Sequence, residues 1–226
     1  MGVRIEPLAA QHIPDLVAIH MRAFQEFFLT FLGAGFLKEF YRSFTEDEAG
    51  MAFVAVDEAD GQVLGGIVGP LRPGGYFKRL LKRRWWAFCL ASAGAVLRRP
   101  GVIGRLFRAL LYRGDSPAGP ERSLLSSIAV SPEAQGRGVG RALVAAWVDE
   151  ARRRGSTGCF LTTDADHNEA VNGFYARLGW TLADSFTTPQ GRRMNRYVLD
   201  FAPSAPPVAP PAAKPAAAAR PEPGHE

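Results

Sequence analysis

Residues 3–7, VRIEP, alternate between apolar and polar positions as a short strand does. Ile13, Leu16, Val17, Met21 and Phe24 then recur at helical spacing and predict a helix over 10–24. A second helix fits 34–46, where Phe36, Leu37, Phe40, Tyr41 and Phe44 share one side. The run 51–71 reads as two strands joined by a turn at Ala59-Asp60-Gly61, and Pro70, Pro73 and the Gly74-Gly75 pair close it. Residues 77–100 read as a helix stopped by Pro100, followed by a second helical stretch over 102–113. RSLLSSIAVSP at 122–132 is a strand ended by Pro132, and a helix from about Gly138 to Arg154 runs up to Gly155. A strand over 157–164, a short helix from Asn168 to Leu178 and a last strand over 192–201 complete the pattern.

The order β-α-α-β-β, an insert, then β-α-β-α-β predicts one α/β domain over residues 1–202 with a mixed sheet. Residues 203–226 are almost entirely Ala and Pro, cannot bury a core, and are expected to form a disordered tail.

Charge adds a feature that the periodicity hides. Within 71–113 there are 11 basic residues and no Asp or Glu, which leaves 16 of the 27 basic residues against all 22 acidic ones elsewhere. Such a block faces an anion: a lipid headgroup, a nucleic acid or a phosphorylated substrate. Its apolar stretch, WWAFCLASAGAVL, is 13 residues, too short to cross a bilayer, which takes about 20. It is expected to pack on the protein or to lie on an anionic membrane surface through 76–113; no nucleic-acid recognition motif accompanies it. The N-terminal residues show no apolar signal core, and the two cysteines, Cys89 and Cys159, suggest no disulfide scaffold. A cytoplasmic setting is expected. Four scattered His and two distant Cys give no metal-ligand spacing.

The candidate chemistry lies between a strand and a helix. In QGRGVG at 135–140, glycines let backbone N–H groups approach an anion closely, and the following helix start adds unpaired N–H groups and partial positive charge. A nucleotide-binding P-loop is excluded because no Gly-Lys-Ser/Thr run is present, and a dinucleotide-binding loop by the spacing of the third glycine.

A third kind of loop fits. Gln135, Gly138 and Gly140 match the acetyl-CoA loop of the GNAT acyltransferase superfamily, which reads Gln or Arg, two residues, Gly, one residue, Gly or Ala. Downstream, Asn168, Val171, Phe174, Tyr175, Gly179 and Trp180 match that family's next helix, in the same order and with a strand between. Residues 3–201 thus resemble a GNAT domain. The resemblance implies a mixed, mostly antiparallel central sheet flanked by helices, here with a helical basic insert at 71–121 ahead of the cofactor-binding strand. It also implies an N-acetyltransferase using acetyl-CoA.

By the same resemblance, the amides of Gln135, Gly136, Arg137, Gly138, Val139, Gly140 and Arg141 bind the pyrophosphate. The strand Ile128-Ala129-Val130 pairs with the pantetheine arm and polarises the thioester carbonyl near a bulge, and Asn168 contacts that arm. Tyr175 is the expected acid, since a phenol is protonated at neutral pH and can hydrogen-bond the leaving thiolate. Packing is the alternative for Tyr175, and a helix N-cap for Asn168. The base stays open among Glu26, His20, His167 and a water chain through Ser126 and Ser127; His20 is expected on a helix edge. Cys159, inside a strand, is expected to be structural, which favours direct transfer in a ternary complex. The acceptor is expected to be a small-molecule primary amine, with a nucleotide-linked amino sugar as the class suggested by the basic insert and by resemblance over 24–44. A protein or peptide amine, or a membrane-bound protein without catalysis, are the alternatives.

Overall fold

The computed structural model describes residues 2–24, 30, 32–98, 121–189 and 191–202. Its centre is two four-stranded sheets. In the first, β1 (Val3–Pro7), β2 (Gly50–Asp57), β3 (Val63–Pro70) and β5 (Ser127–Val130) stand in that order, all antiparallel. The second has the order β4 (Ser123–Leu124), β6 (Gly158–Asp164), β8 (Arg193–Asp200), β7 (Thr181–Thr187), with β4 parallel to β6 and the other pairs antiparallel. The expected mixed, mostly antiparallel sheet is therefore present as two halves.

Two strand expectations need correction. The run 122–132 forms two short strands, one in each sheet. Leu125 donates its amide to the Phe160 carbonyl at 3.0 Å, and the next residue, Ser126, donates to Val68 at 2.9 Å, so the chain changes sheets between them. β7 had no sequence signal: apart from Phe186 its residues are all exposed, so it carries no apolar alternation to read. It is held as an edge strand by its ladder with β8.

Helices cover both faces. α1 (Ile13–Ala23), α2 (Gly33–Glu46) and α3 (Tyr76–Arg98) share one core with Val54, Val56 and Val68 of the sheet. α4 (Val139–Arg153) and α5 (Glu169–Arg177) contribute to a second core with Ala55, Leu64 and Ile67. With helices on both sides, every residue of β3 is buried. Gly66 is what lets α1 sit this close, because a Cβ there would lie 2.7 Å from Leu16 Cδ2. Burying each large apolar side chain of these cores contributes about 1.5–3 kcal/mol.

α3 opens the basic insert and packs as a cover helix. Tyr76, Phe77, Leu80, Ala87 and Phe88 are buried, with Phe88 5.0 Å from Phe36 and Tyr76 5.4 Å from Phe44 between ring centres. The helix bends at Arg84 (φ −128°, ψ 18°), whose guanidinium binds Glu39 at 2.8 Å and also Glu46. The second helical stretch, 102–113, and the tail, 203–226, lie outside the described residues.

Burial raises the hydroxyl pKa of Tyr41, Tyr76 and Tyr175 well above the ordinary phenol value. In the unfolded chain these phenols ionise near pH 10, before they do in the fold. Stability is thus full below about pH 10 and falls as pH rises beyond it. Urea unfolding midpoints at pH 8 and pH 11 check this; the expected drop is smaller in Tyr76→Phe than in the parent.

Candidate functional site

The change of sheets at Leu125–Ser126 opens a wedge. Beyond it, among the described residues, β5 is an edge strand paired only with β3, and β6 from Leu161 onward has β8 on one side and no strand on the other. Ser131 donates its amide to its register partner Leu64 at 2.8 Å. In an antiparallel ladder hydrogen-bonded pairs alternate, so Ala129 and Ser127 also face β3, and the main-chain N–H and C=O of Ile128 and Val130 point into the wedge. These are the groups an extended amide-bearing arm needs for pairing. Ser126 lies where the two sheets part, and its Oγ is buried with no hydrogen-bond partner among the described residues.

The glycine loop sits at the end of β5. A 3-10 turn, Pro132–Ala134, leads into it, and Gln135, Gly136, Arg137 and Gly138 are exposed. Gly136 and Gly138 have φ of +76° and +81°, a left-handed backbone that favours glycine, and space is open where a Cβ would stand. Gly138 is the N-cap of α4 and supplies no side chain; the first turn holds no acidic residue. Because the first helical bond runs from the Ala142 amide to the Gly138 carbonyl, the amides of Val139, Gly140 and Arg141 precede it. An uncapped, positively polarised helix end beside an open glycine turn is suited to a pyrophosphate.

α5 closes the other side. A Cβ on Gly140 would meet Phe174 at 3.5 Å and Val130 at 3.8 Å, so α4, α5 and β5 converge on this glycine. Tyr175 is buried, its ring 5.7 Å from Trp180 and 6.1 Å from Tyr197, and its hydroxyl makes no hydrogen bond among the described residues. Burial favours the neutral phenol, the form able to donate a proton. The ring packs in the core while the hydroxyl keeps its proton. Asn168 stands at the N-cap of α5 without capping it. Its amide nitrogen instead donates to Thr163 Oγ1 at 2.8 Å and to the Asp164 carbonyl at 3.1 Å, tying α5 to the open end of β6.

The remaining sequence candidates are not gathered at the wedge. Arg137 turns to Asp57, 3.2 Å away, where the Ala59 amide and then the Arg137 guanidinium hold the buried Asp57 carboxyl below its ordinary range. The Arg137 amide donates to the Ala134 carbonyl at 3.4 Å, and only one guanidinium nitrogen is engaged by Asp57; Arg141 is exposed on α4. His167 is exposed in the turn before α5 with φ +54°. Glu26 lies outside the described residues. His20, expected on a helix edge, is instead buried: Nδ1 lies 2.7 Å from the Tyr41 hydroxyl, and the ring packs 4.9 Å from Phe24. The helix around it needed one more inward position than the apolar count gave. Sequence reasoning placed Tyr41 only as core, although its hydroxyl is a polar group on a phenyl-rich face and lies beside Ser127 of β5. Burial pushes the Cys159 thiol up to about 12, so it is not a thiolate at neutral pH. Cys159→Ala is expected to keep turnover within about twofold while lowering stability by about 1 kcal/mol, read by thiol-release rate and urea titration.

The free strand edge, the unpartnered Ser126 oxygen and the open glycine cradle all fit the thioester cofactor that the sequence motifs imply. Among the described residues, no cluster of three His, Cys, Asp or Glu could hold a metal ion, and no helix is long and apolar enough to cross a membrane. The family model "Acetyltransferase (GNAT) family" matches residues 15–180. The chain belongs to the GNAT acetyltransferase family. It is thus an acyltransferase of the kind whose fold uses acetyl-CoA.

Among similar proteins, mycothiol acetyltransferase of Nocardia farcinica (strain IFM 10152) is 45% identical over 56 residues, which is 25% of this chain and 18% of that protein. Solved GNAT structures match over most of the described fold. A putative acetyltransferase of the GNAT family from Desulfovibrio desulfuricans has a TM-score of 0.57 at 17% identity, over 88% of this chain and 99% of that one. The ribosomal-protein-S18-alanine N-acetyltransferase of Escherichia coli has a TM-score of 0.56 at 17% identity, over 92% and 99%. In this GNAT fold the strand break and the glycine loop lie at the two ends of β5.

Proposed function

We propose that this GNAT chain moves the acetyl group of acetyl-CoA to the primary amine of a small molecule by direct attack in a ternary complex. The observation that carries this reading is the wedge between β5 and β6, with the glycine loop at its wide end and Ser126 where it narrows. The stretch shared with mycothiol acetyltransferase favours a small acceptor, though it spans only 18% of that relative.

Acetyl-CoA supplies an activated acyl group as a thioester. The amides of Gly136 and of 138–141 would hold its pyrophosphate, and the Ile128 and Val130 main chain would hold and orient the extended arm. Asn168 would add a contact from the α5 side, and its Oδ1 accepts no hydrogen bond among the described residues. Tyr175, kept neutral by burial, would donate its proton to the leaving sulfur. The amine must lose a proton, and a polar line runs back from β5: Ser127 beside Tyr41, and Tyr41 2.7 Å from His20. That line gives the proton a route away from the wedge into α1.

Tyr41→Phe and His20→Gln are each expected to lower kcat by about 100-fold with KM for acetyl-CoA unchanged, and to shift the acid limb of the kcat–pH profile. An unaltered profile in both variants removes the line from proton transfer. The function itself is tested by thiol release from acetyl-CoA with three acceptor pools: nucleotide-linked amino sugars, small polyamines and amino acids, and peptides. Release with one of the first two pools is the expected result; release with peptides alone would move the acceptor to a protein amine.

A further inference from the structure

The outer face of α3 has no role in the wedge, yet it carries three of the five exposed large apolar side chains among the described residues. Trp85 is 61% exposed, Trp86 55% and Leu90 71%. Lys78, Arg79, Lys82 and Arg83 are exposed on the preceding turns. Lys78 and Lys82 stand four residues apart on the segment of α3 before the bend at Arg84, and Trp86 and Leu90 four apart on the segment after it, so each pair shares one side of its own segment. The inward side is already occupied by Tyr76, Phe77, Leu80, Ala87 and Phe88. Arg84 turns inward and is taken up by Glu39 and Glu46 of α2. Arg83 reaches Asp47 only at 3.8 Å, and Lys78 and Lys82 form no ion pair among the described residues.

We propose that this face of α3 docks the protein on an anionic membrane surface, with Trp85, Trp86 and Leu90 at headgroup depth and Lys78, Arg79 and Lys82 on lipid phosphates. Two adjacent indoles left in water are what a protein surface ordinarily avoids, and an indole's apolar body with one N–H donor suits the interfacial layer. Cations flanking such a face match the negative potential of an acidic leaflet. A second copy of this chain is the weaker occupant, since a two-fold contact would bring the same basic rows together. A nucleic-acid strand would answer the cations and leave Leu90 in water. α3 is too charged to insert, so the contact is peripheral and reversible.

The test is co-sedimentation of the full chain with phosphatidylcholine vesicles containing about one third phosphatidylglycerol, against pure phosphatidylcholine, at ~0.1 M and ~0.5 M salt. Binding is expected only to the anionic vesicles, weaker at high salt, with a blue shift of tryptophan emission; Trp147 and Trp180 are buried beforehand and do not contribute. Trp85→Ser with Trp86→Ser, and separately Lys78→Glu with Lys82→Glu, are each expected to lower the vesicle affinity at least about tenfold at unchanged thermal midpoint. Protein left in the supernatant with anionic lipid overturns the proposal, as does equal binding to neutral vesicles. A dimer that the two Trp→Ser changes dissociate, or duplex DNA binding without vesicle binding, overturns it in favour of those partners.

Discussion

Gly138→Trp is expected to abolish measurable acetyl-CoA binding, a loss of at least about 100-fold, or roughly 2.8 kcal/mol. Two effects add. The residue holds φ +81°, where any side chain costs about 1–2 kcal/mol of backbone strain. Space beyond its Cβ position is open, so the indole would extend from the N-cap of α4 into the volume the anion needs. Gly138 is itself exposed and the α4 core positions Val139, Leu143 and Trp147 are untouched by the substitution, so the fold is expected to survive with a lower thermal midpoint. Calorimetric titration of acetyl-CoA into the folded variant checks this; unchanged affinity would remove the loop from the binding site.

Tyr175→Phe is expected to lower kcat by about 100-fold and leave acetyl-CoA affinity within about twofold. The ring packs against Trp180 and Tyr197, which phenylalanine also does. The hydroxyl has no partner among the described residues, so removing it leaves no buried group stranded and costs the fold little. This separates chemistry from packing. A variant with full turnover would reduce Tyr175 to a core residue; one that loses affinity and stability together would mean the hydroxyl is structural.

The helices were legible because each buries one stripe on a sheet, and a stripe at 3.6-residue spacing survives in the sequence. The loop and α5 were legible because glycines at positive φ and the Asn168-to-Trp180 spacing are local features. What the sequence hid is non-local. The change of sheets at Leu125–Ser126 depends on carbonyls of Phe160 and Val68, far apart in the chain. β7 hid because an edge strand exposed on both faces needs no alternation. The His20–Tyr41–Ser127 line hid because α1, α2 and β5 meet only in the fold, and each residue alone reads as ordinary. Arg137 beside the loop looked like a phosphate ligand, and only the structure reveals Asp57 as its partner.

The central claim is that acetyl-CoA lies in the wedge, along the free edge of β5 and against the glycine loop. Amide hydrogen exchange with and without saturating acetyl-CoA tests it most directly. In the free protein the Ile128 and Val130 amides, on an edge unpaired among the described residues, and those of Gly136 and 138–141 are expected to exchange fast. Acetyl-CoA is expected to slow these amides and leave Ala129, already paired with Gly66, unchanged. Saturation of the protein without protection at Ile128, Val130 and the loop would contradict the account.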